Sequence, residues 1–374
     1  MTQYPTITLL IVGGGHASLP LIKMGQKWKK HNIQIKVISA HPFLIYSGAL
    51  PQYMGGFYEW DQTAINLEEL CSRYAVPFTA GKVVSVDENR KTVTTSSGSL
   101  ISYDYLLLNI GASTKPILEG ENISPVKPMS KLLDLREEVK SGLVQNLLII
   151  GGGAAGSELA LNLSHPKSGY HLRITLVEKT GRILSSFSEK LSKQVTHILK
   201  SRGVSVITGN ESTQDIIKDF DHTILAAGNQ PGSVTLDHNF KTGESGRILT
   251  DDTLQVVDNA AVFAAGDTAD IGGDNYQQIG VHAVKQGVLL RENLKSAILG
   301  KQLSAYKPYL FNPLILSNGP DLAFFVMGKL ILSGRFYSVI KHVLDMRWME
   351  KYKNVPGERK SDFKLFRDGF KRSR

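Results

Sequence analysis

Asn146-Leu147-Leu148-Ile149-Ile150-Gly151-Gly152-Gly153-Ala154-Ala155-Gly156-Ser157-Glu158 is a short apolar run that enters a glycine cluster directly. A continuous apolar run of this length suits a strand buried on both faces. The residues after the glycines, to about 163, have helical spacing, and 172–177 form a second apolar run. Strand, glycine turn, helix and strand make the unit that feeds a parallel sheet. The pattern also occurs at the start of the chain. Residues 6–12 are apolar, Gly13-Gly14-Gly15-His16-Ala17-Ser18 follows, a helical stretch runs to about 30, and 33–38 is a strand. The two units are too divergent and too far apart for a solenoid. The fold class they predict is α/β, with two Rossmann-like dinucleotide-binding domains and a small C-terminal segment.

Other signals fill in the organisation. Residues 82–86 and 92–95, flanked by turn residues, predict a β-meander. Runs at 105–110, 223–227 and 261–265 read as buried strands that end at Gly111, Gly228 and Gly266. Residues 116–128 hold three prolines and little periodicity, so they read as a crossover, and a long helix is expected over 279–299. The expected domains are 1–115 and 236–305 for the first dinucleotide, 116–235 for the second, and 306–374 at the C-terminus.

Length and composition narrow the function. A chain of 374 residues allows two or three domains, and 42% hydrophobic with 21% charged residues is globular composition. The single cysteine, Cys71, excludes an internal disulfide, a thiolate zinc site and a CxxC redox pair, and it suits a reducing, cytoplasmic setting. No metal site is expected. No run of 18 apolar residues exists, and the first apolar stretch lacks a basic segment before it, so neither a spanning helix nor a signal peptide is expected.

Charge is uneven. The net charge is +9; residues 1–58 carry five Lys/Arg and no acid, and 341–374 carry eleven Lys/Arg against five Asp/Glu. A basic end invites an anionic partner. With no recognisable nucleic-acid motif, an anionic membrane surface is the expected partner. Homodimerisation stays open.

A glycine turn between strand and helix lets the backbone approach a pyrophosphate, which the helix N-terminus then attracts. Gly151, Gly153 and Gly156 fill all three positions of the second loop. Glu178, at the end of the next strand, stands where a carboxylate accepts from an adenosine ribose and repels a 2′-phosphate, which favours NADH over NADPH. Arg182 weakens that preference slightly. The first loop has Gly13 and Gly15, but Ser18 holds the third position and Ser39 the place of the ribose acid.

These motifs resemble the two-dinucleotide-binding-domain flavoproteins of the pyridine nucleotide-disulfide oxidoreductase superfamily. The likeness is greatest to the type II NADH dehydrogenase and sulfide:quinone reductase branch, and within it to the flavoprotein module fused to selenide, water dikinase. The resemblance rests on both glycine loops, on Tyr46-Ser47-Gly48-Ala49-Leu50-Pro51, and on the strand ends at Asn109-Ile110-Gly111-Ala112 and Ala226-Ala227-Gly228. It also rests on Phe263-Ala264-Ala265-Gly266-Asp267 and His282-Ala283-x-x-Gln286-Gly287. It implies FAD in the first unit and NAD(P)H in the second, with the second domain inserted into the first. Asp267 would then hold the ribityl hydroxyls, and the helix start near Gly280–Ala283 would face the flavin. Glu158 would lie near the nicotinamide–flavin contact. His16 is a candidate for the FAD phosphates, and His282 a candidate proton donor at the flavin edge. Disulfide-reducing relatives place a redox cysteine near the loop that here reads Tyr46-Ser47-Gly48, and Cys71 reads as a packed small residue. Sulfide oxidation through cysteines is therefore disfavoured.

The expected activity is hydride transfer from NADH to FAD and onward to a quinone-type acceptor. A soluble protein, selenium or sulfur acceptor, or a slow redox-gated interaction protein, stays open from sequence. In the C-terminal segment Phe336, Val339, Ile340, Val343, Leu344 and Met346 share a helical face opposite Ser338, Lys341, His342 and Asp345. That apolar face is assigned to core packing ahead of a membrane. Phe363, Phe366 and Phe370, interleaved with basic residues, suit an interfacial helix as well as a solvated tail.

Overall fold

The computed structural model describes residues 5–114, 118, 120–209, 217–227, 229–230, 237–272, 280–308 and 313–353. Two five-stranded parallel sheets dominate. In the first, the strand order is Val262–Ala264, Tyr105–Leu108, Ile7–Val12, Ile33–Ser39, Phe78–Ala80. In the second it is Ile123–Pro125, His222–Leu225, Asn146–Ile150, Arg173–Glu178, Ser205–Thr208. Each strand that leads into a glycine loop is central. The next strand in sequence pairs on one side and a much later strand on the other. That arrangement opens a crevice at the carboxyl end of the central strand, the place where open α/β sheets bind ligands.

The apolar runs predicted as strands are the strands, because both faces of each sheet are covered. Leu9, Ile11, Leu106, Leu107, Leu108, Phe263 and Ala264 are fully buried in one core, and Leu147, Ile149, Leu176 and Ile224 in the other. The meander is present as Val83–Asp87, Thr92–Thr95 and Leu100–Ser102. Two details differ from expectation. The stretch read as a plain crossover contains the edge strand Ile123–Pro125, which is too short to leave a periodic signal. The first helical stretch is broken into Leu19–Ile22 and Gly25–Lys29.

The third layer is an antiparallel sheet, Leu314–Asn318, Leu322–Met327 and Leu330–Gly334, followed by the helix Arg335–Lys353. This helix corrects the sequence reading. Its buried stripe is Ser338, Lys341, Asp345, Met349 and Tyr352, whereas Phe336 and Leu344 are 68% and 54% exposed. Lys341 and Asp345 tolerate burial because they pair at 2.8 Å; of the predicted apolar face, Phe336 and Leu344 are left outside while Val339, Ile340, Val343 and Met346 are half-buried.

The helix Gly280–Ile298 closes the first sheet over its glycine loop. Contact is possible because Gly287 has no side chain: a Cβ there would lie 2.6 Å from the Ala17 carbonyl oxygen. Gly287→Ala is therefore expected to lower thermal stability by roughly 1–3 kcal/mol, the usual cost of overpacking. Gly181→Ala, where a Cβ meets nothing within 4 Å, is the control that should leave the melting temperature in place.

Candidate active site

The second glycine loop is built by backbone geometry. Gly151 has φ +109°, and a Cβ on it would lie 2.7 Å from the Ala227 nitrogen. A Cβ on Gly156 would meet the Gly151 carbonyl oxygen at 2.0 Å, so only glycine lets the helix Ala154–Leu163 start this close to the strand. Gly153 caps that helix and faces open space. Glu178 reaches back to the loop: one carboxylate oxygen accepts from the Gly152 N–H at 2.7 Å, the other from the Thr180 N–H and hydroxyl at 2.9 Å. Arg182 donates to the carbonyls of Leu184, Ser185 and Phe187, so its guanidinium is engaged within its own loop. Gly228 lies outside the described residues. An open helix N-terminus with a fixed carboxylate one strand away fits a nicotinamide dinucleotide.

The first loop solves the same problem differently. Gly13 has φ +96°, and Cβ atoms on Gly13 and Gly15 would collide with Asn109 at 2.2 and 2.7 Å. Ser18 occupies the third position without loss of order. Its hydroxyl donates to the Gly13 carbonyl at 2.7 Å and accepts from the Asn109 amide at 2.9 Å. Where Gly156 permits close packing, Ser18 satisfies the carbonyl through a hydrogen bond. Ser39 donates to the His41 carbonyl at 2.8 Å. The Gly111 N–H donates to the Thr268 hydroxyl at 3.0 Å. The Gly266 N–H donates to Gln286 at 2.7 Å, with Ala283 3.5 Å from the place of a Gly266 Cβ.

Asp267, beside these, accepts from Lys127 at 2.5 Å. Sequence reasoning missed Lys127, since nothing local marks it. His16 lies in the field of both. Burial pushes its imidazole down to about 4 against the pull of Asp267, with Lys127 lowering it further. Its Nε2 has no hydrogen-bond partner, and its ring lies 5.1 Å from Trp348 and 5.9 Å from Tyr46. Two side-chain-free turns, a poised carboxylate and an orphaned ring nitrogen form a cradle that fits a second dinucleotide.

A charged cluster lies between the two loops and the C-terminal helix. Glu158 is half-buried and accepts from the Ser317 N–H at 2.7 Å and hydroxyl at 2.6 Å. Desolvation holds its carboxyl above the ordinary range, opposed by Lys341 and the Ser317 hydrogen bonds. Lys341, 5% exposed, donates to the Gly48 carbonyl at 2.5 Å and to Asp345 at 2.8 Å. The structure thus brings Glu158 together with Lys341, Asp345, Ser317 and the Tyr46–Gly48 loop. Of these partners only Tyr46-Ser47-Gly48 carried a site signal in sequence; Lys341 and Asp345 stood merely on the polar face opposite the apolar stripe. His282 sits elsewhere on its helix, 2% exposed, with Nδ1 2.6 Å from the Tyr306 hydroxyl. Burial lowers its imidazole, and Lys285 adds to that.

Residues 7–287 match the family described as Pyridine nucleotide-disulphide oxidoreductase. Among curated proteins, Ferroptosis suppressor protein 1 of Xenopus tropicalis is 25% identical over 62% of this chain, and the match spans 66% of that protein, just under two thirds. The type II NADH:quinone oxidoreductase of Staphylococcus aureus is 23% identical, covering 91% of this chain and 94% of that one. Among solved structures, the sulfide:quinone oxidoreductase of Aquifex aeolicus superposes with a TM-score of 0.74 at 17% identity, covering 93% and 92% of the two chains. At that identity the likeness is one of fold.

Glu178 generates a direct test. Reduction by NADH is expected to outpace reduction by NADPH at equal low concentration in stopped flow. Glu178→Ala should narrow the ratio by about tenfold, or ~1.4 kcal/mol. A wild-type preference for NADPH would remove Glu178 from this role.

Proposed function

Given that the chain belongs to the pyridine nucleotide-disulphide oxidoreductase family, we propose that it takes hydride from NADH and passes two electrons to a quinone-type acceptor without a redox cysteine. FAD and NAD(P)H are its cofactors. Bound FAD supplies the two-electron store between nicotinamide and acceptor. In this reading Gly13, Gly15, His16, Ser39, Gly111, Gly266, Asp267 and Ala283 hold FAD. Gly151, Gly153, Gly156 and Glu178 hold the nicotinamide dinucleotide. Glu158 and Lys341 line the reaction site, and His282 is a supporting group held by Tyr306. The protein's own work is alignment and exclusion of water.

The observation that carries this reading is the state of the sole thiol. Cys71 is fully buried in the helix Leu67–Arg73, and burial pushes its thiol up to about 12. It is the one cysteine of the chain, so no dithiol relay exists. Electrons must leave the cofactor directly, which suits an acceptor that reaches it. The names of two relatives, a type II NADH:quinone oxidoreductase and a sulfide:quinone oxidoreductase, support a quinone. Cys71→Ser should keep NADH:quinone turnover within a factor of about two, a barrier change near 0.4 kcal/mol. A more than tenfold loss with FAD still bound would put the thiol in the electron path.

A lipid-soluble quinone would be met at a membrane surface. No helix among the described residues is long and apolar enough to cross one. The exposed Phe336 and Leu344 offer an apolar flank, and the basic stretch with Phe363, Phe366 and Phe370 continues beyond the described residues. Each engaged basic residue contributes about 1 kcal/mol at an anionic surface, screened over roughly 8–10 Å at physiological salt. Truncation after Pro356 is expected to release the protein from anionic vesicles and to leave FAD content intact. Full-length protein that ignores such vesicles at low salt would end the docking idea.

A further inference from the structure

Quinone reduction needs a proton that NADH does not carry. NADH delivers a hydride, which is two electrons and one proton; quinone becomes quinol by gaining two electrons and two protons. One proton per turnover must come from water. The site around Lys341 is buried, so that proton needs a route.

The structure shows a continuous line of exchangeable groups to the surface. Lys341 Nζ donates to Asp345 Oδ2 at 2.8 Å. The Tyr58 hydroxyl donates to the same oxygen at 3.3 Å. His342 Nδ1 lies 3.2 Å from the Tyr58 hydroxyl. Lys341, Asp345 and Tyr58 are at most 5% exposed, whereas His342 faces solvent. Helix geometry produces this order. Lys341 and Asp345 lie one turn apart on the inner face, and His342, one residue on, is turned about 100° toward water. Tyr58, from the segment after the helix Leu50–Met54, fits between His342 and Asp345 and meets the His342 ring edge-on at 5.5 Å. The inner end of the line donates to the Gly48 carbonyl at 2.5 Å. Tyr46 and Glu158 face the inner end as well, through Asp345 and Lys341.

We propose that His342, Tyr58, Asp345 and Lys341 form the proton line that supplies the acceptor beside Gly48 from solvent. This rests on the reading that the acceptor is a quinone. Lys341 donates a proton to the acceptor oxygen as it takes up electrons. Asp345 and Tyr58 pass the replacement inward, and His342 takes it from water. Burial and the Asp345 carboxylate hold the Tyr58 phenol well above its ordinary range. Tyr58 therefore stays protonated and must give and take a proton in one movement.

Two acceptors separate this proposal from the reading beneath it. Ferricyanide takes single electrons and no proton; a water-soluble quinone needs the proton. Tyr58→Phe and His342→Ala are expected to slow quinone turnover by roughly 10- to 100-fold, at or below the low end of what a direct proton donor contributes, because both act through Lys341. Flavin bleaching by NADH and ferricyanide turnover should stay near wild type. Added imidazole should restore the His342→Ala variant, and the solvent deuterium isotope effect on quinone turnover should grow in both variants. In the resting enzyme, the 15N shifts of the His342 imidazole should change in Tyr58→Phe, which reports the bond at Nδ1 independently of turnover. His342 is at the surface, so its variant tests the line without threatening the fold. If wild type reduces ferricyanide but no quinone, the acceptor reading fails and takes this proposal with it. If wild type reduces quinone and both variants match it, with an unchanged isotope effect, the proton line alone is wrong. Imidazole shifts that are identical in wild type and Tyr58→Phe would also overturn it.

Discussion

A buried ammonium governs how the C-terminal part of this protein is arranged. Lys341 sits in the interior of a site with 5% exposure, and an unpaired charge there would cost several kcal/mol. The pairing to Asp345 one turn along, and the donation to the Gly48 carbonyl, meet that cost only if the helix Arg335–Lys353 presents this face inward. Everything else about the helix follows from that rotation. Trp348 is brought onto Tyr46, with ring centroids 4.4 Å apart. Phe336 and Leu344 are turned outward. The helix also pins the Tyr46–Gly48 loop from outside the two dinucleotide units, so a site begun by the N-terminal half is completed by the last described helix.

The two dinucleotide cradles share a topology and differ in chemistry. Each sits where the central strand of a parallel sheet changes neighbours, and each needs a residue without Cβ at the turn. At the third position one unit uses Gly156 to let backbone touch backbone, and the other uses Ser18 to bond a carbonyl that would otherwise be bare. Asn109 supports the second solution: it buttresses Gly13 and Gly15 and donates to Ser18. The departure from the three-glycine pattern is therefore a substituted contact, and the loop stays ordered by a different means.

The position of Glu158 shows how one residue serves both packing and site. It lies on the first turns of the helix that the second loop starts. Its carboxylate is tied to Ser317 of the antiparallel layer, while Asn162, one turn on, donates to the same serine. The helix is thus locked to the third layer at the residue proposed to lie near the nicotinamide–flavin contact. Tight location of such groups is what alignment of a hydride donor and acceptor demands.

The residues alone determined the parts of this protein that depend on local backbone demands. The strand–glycine–helix units at Gly13–Ser18 and Gly151–Gly156, the acid at Glu178 and the glycine ends at Gly111 and Gly266 are legible because a tight turn and a buried strand restrict residue type at known spacing. The lack of a thiol relay is legible by counting. Tertiary structure alone decided which face of the C-terminal helix is most deeply buried, because the chain shows the apolar stripe of Phe336, Val339, Ile340, Val343 and Leu344 but not the distant partners that satisfy its polar side. The paired Lys341 and Asp345 become interior residues only once Gly48, Tyr58 and Glu158 arrive from distant segments to satisfy them. Lys127 beside Asp267, and Ser317 beside Glu158, were hidden for the same reason: a hydrogen bond between residues 140 or 159 positions apart leaves no periodic trace in the chain, and only packing brings its ends together.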